Sequence, residues 1–352
     1  MLRLVSFVLL TLQLLLLPRL DNADAVLDLW TKGQPALNAQ LAKSTTCSKD
    51  KLQIRKEWGD LTDSEKSSYI NAVLCLTKAP SKLDPTKYPG AKSGYDDFVV
   101  VHINQTLSIH GTVMPLSIRM SVLYNVTDYQ PRQLSLMAQI LDVDYSLWYD
   151  SAEKTVYSDF VLLRYWNWGR CAADPEKSPI FDGTMLSLSG NGEKIPHSGT
   201  IVTGNGGGCT TSGPSKNMTV NLGPISLAIN PAPPANPRSD GYGYNPRYLR
   251  RDISNQLSSR YSRTEDIVKL ITSINSIGTF QDTMQKHKPG QCPRSRHYTI
   301  SGDPGERNLM LDFNSRAQSL DDIMDLNVVE PKTYKIRELV SVVDGPFCYY
   351  YA

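Results

Sequence analysis

Histidine is scarce: the 352-residue chain has five, His102, His110, His197, His287 and His297. Charge of one sign is not in excess either, with 37 Lys and Arg against 35 Asp and Glu and a formal net charge of +2. A nucleic-acid binder is expected to show a basic stripe, and none is present. The short cluster Arg247 to Arg251 (RYLRR) reads as one solvated helix face. No long apolar run follows the one at the N-terminus, so the mature chain is expected to have no membrane partner. No C-x-x-C pair occurs, which argues against a zinc ribbon or a dithiol redox motif. No G-x-S-x-G occurs, which removes the usual serine-hydrolase signature. The glycine-rich run Gly204 to Gly208 (GNGGG) has no Lys-Ser/Thr after it, so it lacks what a phosphate loop needs.

The N-terminus carries a targeting pattern. Arg3 supplies a positive region, Leu4 to Leu17 is apolar but too short to cross a bilayer comfortably, and Pro18 breaks it. Ala23-Asp24-Ala25 offers a small-x-small cleavage site, so residues 1–25 read as a secretory signal peptide and 26–352 as one mature domain. An uncleaved membrane anchor is the competing reading. The cut removes Arg3, Arg19, Asp21 and Asp24, which leaves the net charge unchanged. Export to an extracellular, oxidising compartment suits the six cysteines, Cys47, Cys75, Cys171, Cys209, Cys292 and Cys348. Six cysteines allow fifteen pairings, which spacing alone does not separate. Three sequons, at Asn104, Asn125 and Asn217, are glycan acceptors if exposed.

Thr62-x-x-Glu65 is a capping box, followed by an apolar stripe through Tyr69, Ile70, Val73, Leu74 and Leu76 and closed by Pro80. Ser81 to Gly94 reads as a loop. Asp96 and Asp97 then favour a helix start, which places His102 on a helix over Tyr95 to Ile109. The valines there would also suit a buried strand. From Asn167 to Gly243 the chain is rich in Gly, Pro, Ser and Asn and is expected to be loop. Leu249, Ile253 and Leu257 recur every four residues; Thr264 caps a helix with Ile267, Leu270, Ile271 and Ile274 on one face. Ser319-x-x-Asp322 is expected to cap a short helix with Leu320, Ile323 and Leu326. The expected class is mainly α, a helix bundle with long irregular loops.

His102 and His110 are eight apart, the second followed by Gly-Thr. Neutral imidazoles suit copper, zinc or iron, although a lone pair at this spacing equally fits two core or half-exposed histidines. The surrounding segment Tyr95 to Thr112 (YDDFVVVHINQTLSIHGT) resembles the first copper-binding segment of fungal tyrosinase-like proteins. Ile54 to Leu76 is similar to that family's leading segment, and Tyr165 to Gly169 (YWNWG) to its aromatic motif. Ser178 to His197, Leu222 to Ser259 and Leu320 to Tyr351 also resemble it, and Arg296 to Gly305 (RHYTISGDPG) looks like the start of its second copper segment.

The resemblance implies a type-3 site in a four-helix bundle: two coppers, each held by three histidines, binding dioxygen between them. It implies oxidation of phenols and o-diphenols to quinones. Carried over residue by residue, His102 and His110 match two ligands of one copper and His297 the first ligand of the other. The family's remaining ligand segments have no counterpart. Residues 113–164 and 306–319 contain no histidine, so both copper segments read as disrupted and the bundle as incomplete. His287 stands between Lys286 and Lys288, a cationic setting that disfavours a metal cation. Cys47 and Cys75 flank the same helical segment, in or beside the family-like leader, and are the expected disulfide. The aromatics Tyr165, Trp166 and Trp168 suit core packing, with an aromatic surface as the alternative.

Overall fold

The computed structural model describes residues 23–106, 166–199, 203–224, 229–261, 263–273, 321, 323–324, 333–339, 341 and 343–351. Helix α1 (Ala23–Leu41) is mostly exposed from Asp28 onward and turns its far end, Leu37 and Leu41, onto Cys47 and Val343. Strand β1 (Gln53–Arg55) follows, then helix α2 (Asp63–Leu76). Its capping box is complete: Thr62 Oγ1 accepts from Glu65 N at 3.2 Å, and Glu65 Oε2 accepts from Thr62 N at 2.8 Å. The bond from Lys56 (2.9 Å), and then the Thr62 N–H, hold the Glu65 carboxyl down at about 2.

Helix α3 (Gly94–Thr106) is apolar on opposite faces. Val101 enters one core cluster with Trp58, Tyr69, Ile70, Phe181 and Tyr349. Val99, Val100 and Ile103 enter a second cluster with Leu83, Tyr88 and Leu222. A helix buried on two sides needs apolar residues nearly all round, which is why its valine run also suited a strand.

The loop-rich middle contains six short strands: β2 (Gly192–Lys194), β3 (Ser198–Gly199), β4 (Gly207–Thr210), β5 (Thr219–Val220), β6 (Ile229–Asn230) and β7 (Arg247–Tyr248). They pair antiparallel as β2 with β4, β3 with β6 and β5 with β7. Helices α4 (Asn255–Tyr261) and α5 (Thr264–Ser273) come next. Strand β8 (Ile323–Met324) pairs antiparallel with β9 (Tyr334–Lys335). The last strand, β10 (Tyr349–Tyr351), returns to pair in parallel with β1.

Four sequence expectations are corrected. Cys47 bonds Cys348, with Cα atoms 5.0 Å apart, and not Cys75. The β1–β10 pairing carries Cys348 to Cys47, with Gln53 N donating to Cys348 O at 3.0 Å. A contact between residues 301 apart is invisible to an argument from neighbouring helix ends. Cys75 sits near the end of α2 and keeps its thiol, as do Cys171 and Cys209.

The basic cluster at 247–251 is not a solvated helix face. Arg247 donates from Nη1 to the carbonyls of Gly223 (2.8 Å) and Asn245 (3.0 Å), and from Nη2 to that of Leu222 (2.8 Å). Burial lowers its pKa to about 10. Arg251, which is buried, reaches the carbonyls of Leu188, Ser189 and Gly190. These guanidiniums satisfy backbone oxygens that irregular loops leave without ladder partners. Leu249 and Ile253 lie in that extended stretch, and the helix begins only at Asn255. Ile323, expected on a helix, is in β8 because Tyr334–Lys335 offers it a partner strand.

Candidate functional site

The best-defined part of the site is the helix that carries His102. Its start is a second capping box: Ser93 Oγ accepts from Asp96 N (3.2 Å), and Asp96 Oδ2 accepts from Ser93 N (3.0 Å). The same Asp96 oxygen also accepts from Lys92 N (3.0 Å), Ser93 Oγ (2.9 Å) and Asn221 Nδ2 (2.9 Å). Next to it Asp97 accepts from Ser81 Oγ (2.5 Å) and Lys82 N (3.0 Å), while burial raises its pKa. These two carboxylates bind the start of α3 to the 81–93 loop and to Asn221 in the loop-rich middle. His102 lies one turn beyond Phe98, between buried Val101 and Ile103, so packing fixes the backbone position from which it is presented. The Ser93-x-x-Asp96 spacing that signals this box is visible in the sequence, beside the acidic first turn.

The aromatic segment is tied to the leader. Glu57, buried, accepts from Gly59 N (2.5 Å), Asn167 N (3.2 Å) and Arg170 Nη1 (3.2 Å). Burial pushes its carboxyl up, against the pull of those donors. Arg170 also reaches both oxygens of Asp60, at 2.9 and 2.8 Å. Trp166 stands edge-on to Phe181, ring centres 5.0 Å apart, and packs against the first core cluster. Core packing therefore accounts for Trp166. The turn Trp168–Cys171 is pressed by α5, where a Cβ at Gly169 would collide with Thr264.

His197 is committed elsewhere. Its side chain is 4% exposed; Nε2 lies 2.8 Å from Asp252 Oδ2 and Nδ1 lies 2.8 Å from the Ile195 carbonyl. Both partners accept only, so both ring nitrogens must donate and the imidazolium is favoured. The Ile195 bond is the largest influence raising its pKa, with Asp252 adding to it and burial opposing. Asp252 also accepts from Gly204 N (2.8 Å) and Gly206 N (3.0 Å), so the glycine-rich run closes over this pair. Gly207, at φ +93°, lies so close that a Cβ would meet the His197 ring at 2.6 Å.

His110, His287 and His297 lie outside the described residues, as do Asn125, 113–164 and 306–319. Asn104 and Asn217 are both exposed, the former on α3. Among the described residues no three His, Cys, Asp or Glu side chains come together as a metal group. With His197 bonded at both nitrogens, four of the five histidines remain as donors. That set does not fit two coppers of three histidines each. Among the described residues no helix is long and apolar enough to cross a membrane.

Comparison with known proteins agrees on lineage. The common central domain of tyrosinase matches residues 144–310, beginning inside the first histidine-free stretch. A tyrosinase-like protein of Emericella nidulans, orsC, is 30% identical over 262 residues, 68% of this chain and 64% of the relative. The N-acetyl-6-hydroxytryptophan oxidase ivoB of the same organism is 31% identical over 270 residues, 72% of this chain and 66% of the relative. The matches thus span just under two thirds of those two relatives. Tyrosinase P of Aspergillus terreus is 31% identical over 286 residues, 76% of this chain and 71% of the relative. A polyphenol oxidase variant from Thermothelomyces thermophila has a similar structure, with a TM-score of 0.65, 27% identity, and coverage of 94% of this chain and 96% of that one. Its family depends on type-3 copper, and the chain belongs to the fungal tyrosinase-like proteins.

Proposed function

We propose that this protein descends from copper oxidases that convert phenols and o-diphenols to quinones with dioxygen, and that it holds copper weakly at His102 and His110 without completing a dicopper centre. The lineage supports the substrate class: its relatives are a tyrosinase, an N-acetyl-6-hydroxytryptophan oxidase and a polyphenol oxidase. The observation that carries the second half is the donor count, four imidazoles once His197 is engaged. Two imidazoles suffice for a cuprous ion, which tolerates low coordination; His297 alone does not make a second site. The leader pattern at 1–25 supports export of the mature chain from Val26.

The test is to secrete the chain, sequence its N-terminus, load it with copper and measure both metal content and oxygen uptake with a catechol. Fewer than two coppers per chain and no quinone formation are expected. Two coppers with sustained turnover would overturn the reading. The same donor shortfall favours a second reading, a non-catalytic secreted glycoprotein that retains part of the scaffold. Copper retention that disappears in His102→Ala/His110→Ala separates the two, because the second reading predicts no such dependence.

A further inference from the structure

Asn217-Met218-Thr219 stands apart from the other two sequons. Asn125 is outside the described residues, and Asn104, though exposed, lies within the helical backbone of α3, two residues after His102. Asn217 is exposed at the end of a turn, with φ +63°, a conformation asparagine tolerates better than most residues. The turn is held by bonds that leave the side chain outside: Lys216 N to Gly213 O at 3.1 Å, Met218 N to Ser215 O at 3.0 Å and Leu249 N to Met218 O at 2.9 Å. Thr219, the hydroxyl residue of the sequon, opens β5 and is exposed. Directly across the ladder from Thr219 is Tyr248, whose side chain therefore leaves the same face. Tyr248 is 59% exposed, a large ring open to water.

We propose that Asn217 carries an N-linked glycan whose innermost sugar lies over the Tyr248 ring. This rests on the export reading, since the donor, a lipid-diphosphate-linked oligosaccharide, is met in the secretory pathway. In the transfer the Asn217 Nδ2 forms a bond to the sugar C1 and loses a proton. The bond from C1 to the diphosphate oxygen breaks, and the lipid diphosphate leaves. The C–H face of the sugar would cover apolar ring surface that is otherwise in contact with water.

The experiment is secretion of the full chain from a eukaryotic host, followed by peptide mapping before and after amidase release of N-glycans. Conversion of Asn217 to Asp on release is expected, together with loss of one glycan in Asn217→Gln and in Thr219→Ala. An exported chain with unmodified Asn217 overturns the site while leaving export intact; retention in the cytosol overturns the export reading and the site with it. For the stacking, glycan release should lower the Tm of the wild type and of Tyr248→Phe more than that of Tyr248→Ala. Equal shifts in all three would overturn the contact with the ring.

Discussion

The Arg55 guanidinium lies 3.7 Å from the centre of the Tyr349 ring, joining β1 to β10 across nearly the whole chain. Arg55 and Tyr349 are each 1% exposed, and Tyr349 is packed with Trp58, Phe347 and Tyr69 in the first core cluster. A cation held over an aromatic face away from water is worth about 2 kcal/mol, and the ring's burial adds to that. Tyr349→Leu is therefore expected to lower unfolding free energy by about 2–4 kcal/mol. Urea denaturation measures it; a loss within error of zero would show that the contact does not hold the two ends.

The Cys47–Cys348 bond closes the same junction, at a sequence separation of 301. Loop-closure entropy makes it worth on the order of 5 kcal/mol as an upper figure. Peptide mapping under non-reducing conditions should recover a Cys47–Cys348 peptide, and Cys348→Ser should lower Tm. Recovery of a Cys47–Cys75 peptide in its place would contradict the structure.

His197 makes stability depend on pH. Its pKa is raised in the folded protein, so its contribution is fully present below the unfolded value of about 6.5 and is lost as pH rises through the folded value. The charged groups facing it are Asp252, which favours the imidazolium, and Arg250, which opposes it. His197→Gln is thus expected to cost most stability in mildly acidic buffer and less at alkaline pH. A gap that widens with rising pH would reverse the sign of this argument.

Asp96 is the residue through which loop, helix and Asn221 meet. Asp96→Ala removes an acceptor used by four donors, and a loss of about 2–3 kcal/mol is expected. Copper retention at His102 should weaken as well, because the cap fixes the start of the helix that presents it. Asp96→Asn keeps an acceptor oxygen and should restore part of the stability. If alanine and asparagine behave alike, the capping box is not what anchors α3.

Local signals were legible where the interactions are local. The Thr62–Glu65 box, the acidic start of α3 and the stripe along α2 each lie within one or two helical turns, and the structure contains all three. The aromatic segment suits core packing by composition, and Trp166 does pack edge-on to Phe181, which the chain reaches only after the two tight turns Trp168–Cys171 and Pro175–Lys177. The strand at Ile323 is not legible in the sequence, since a two-residue strand is decided by the partner it meets and not by its own period.

By itself the sequence determined the lineage, the number of imidazoles and the residue types open to metal, because these are properties of composition and motif. Only the tertiary structure decided how those residues are used. It gave Cys47 to Cys348 and not to Cys75, because the parallel β1–β10 pairing brings the chain ends together. It turned Arg247, Arg250 and Arg251 inward, because irregular loops leave carbonyls that need donors. It placed His197 between Ile195 and Asp252, because a buried imidazole must satisfy both of its nitrogens.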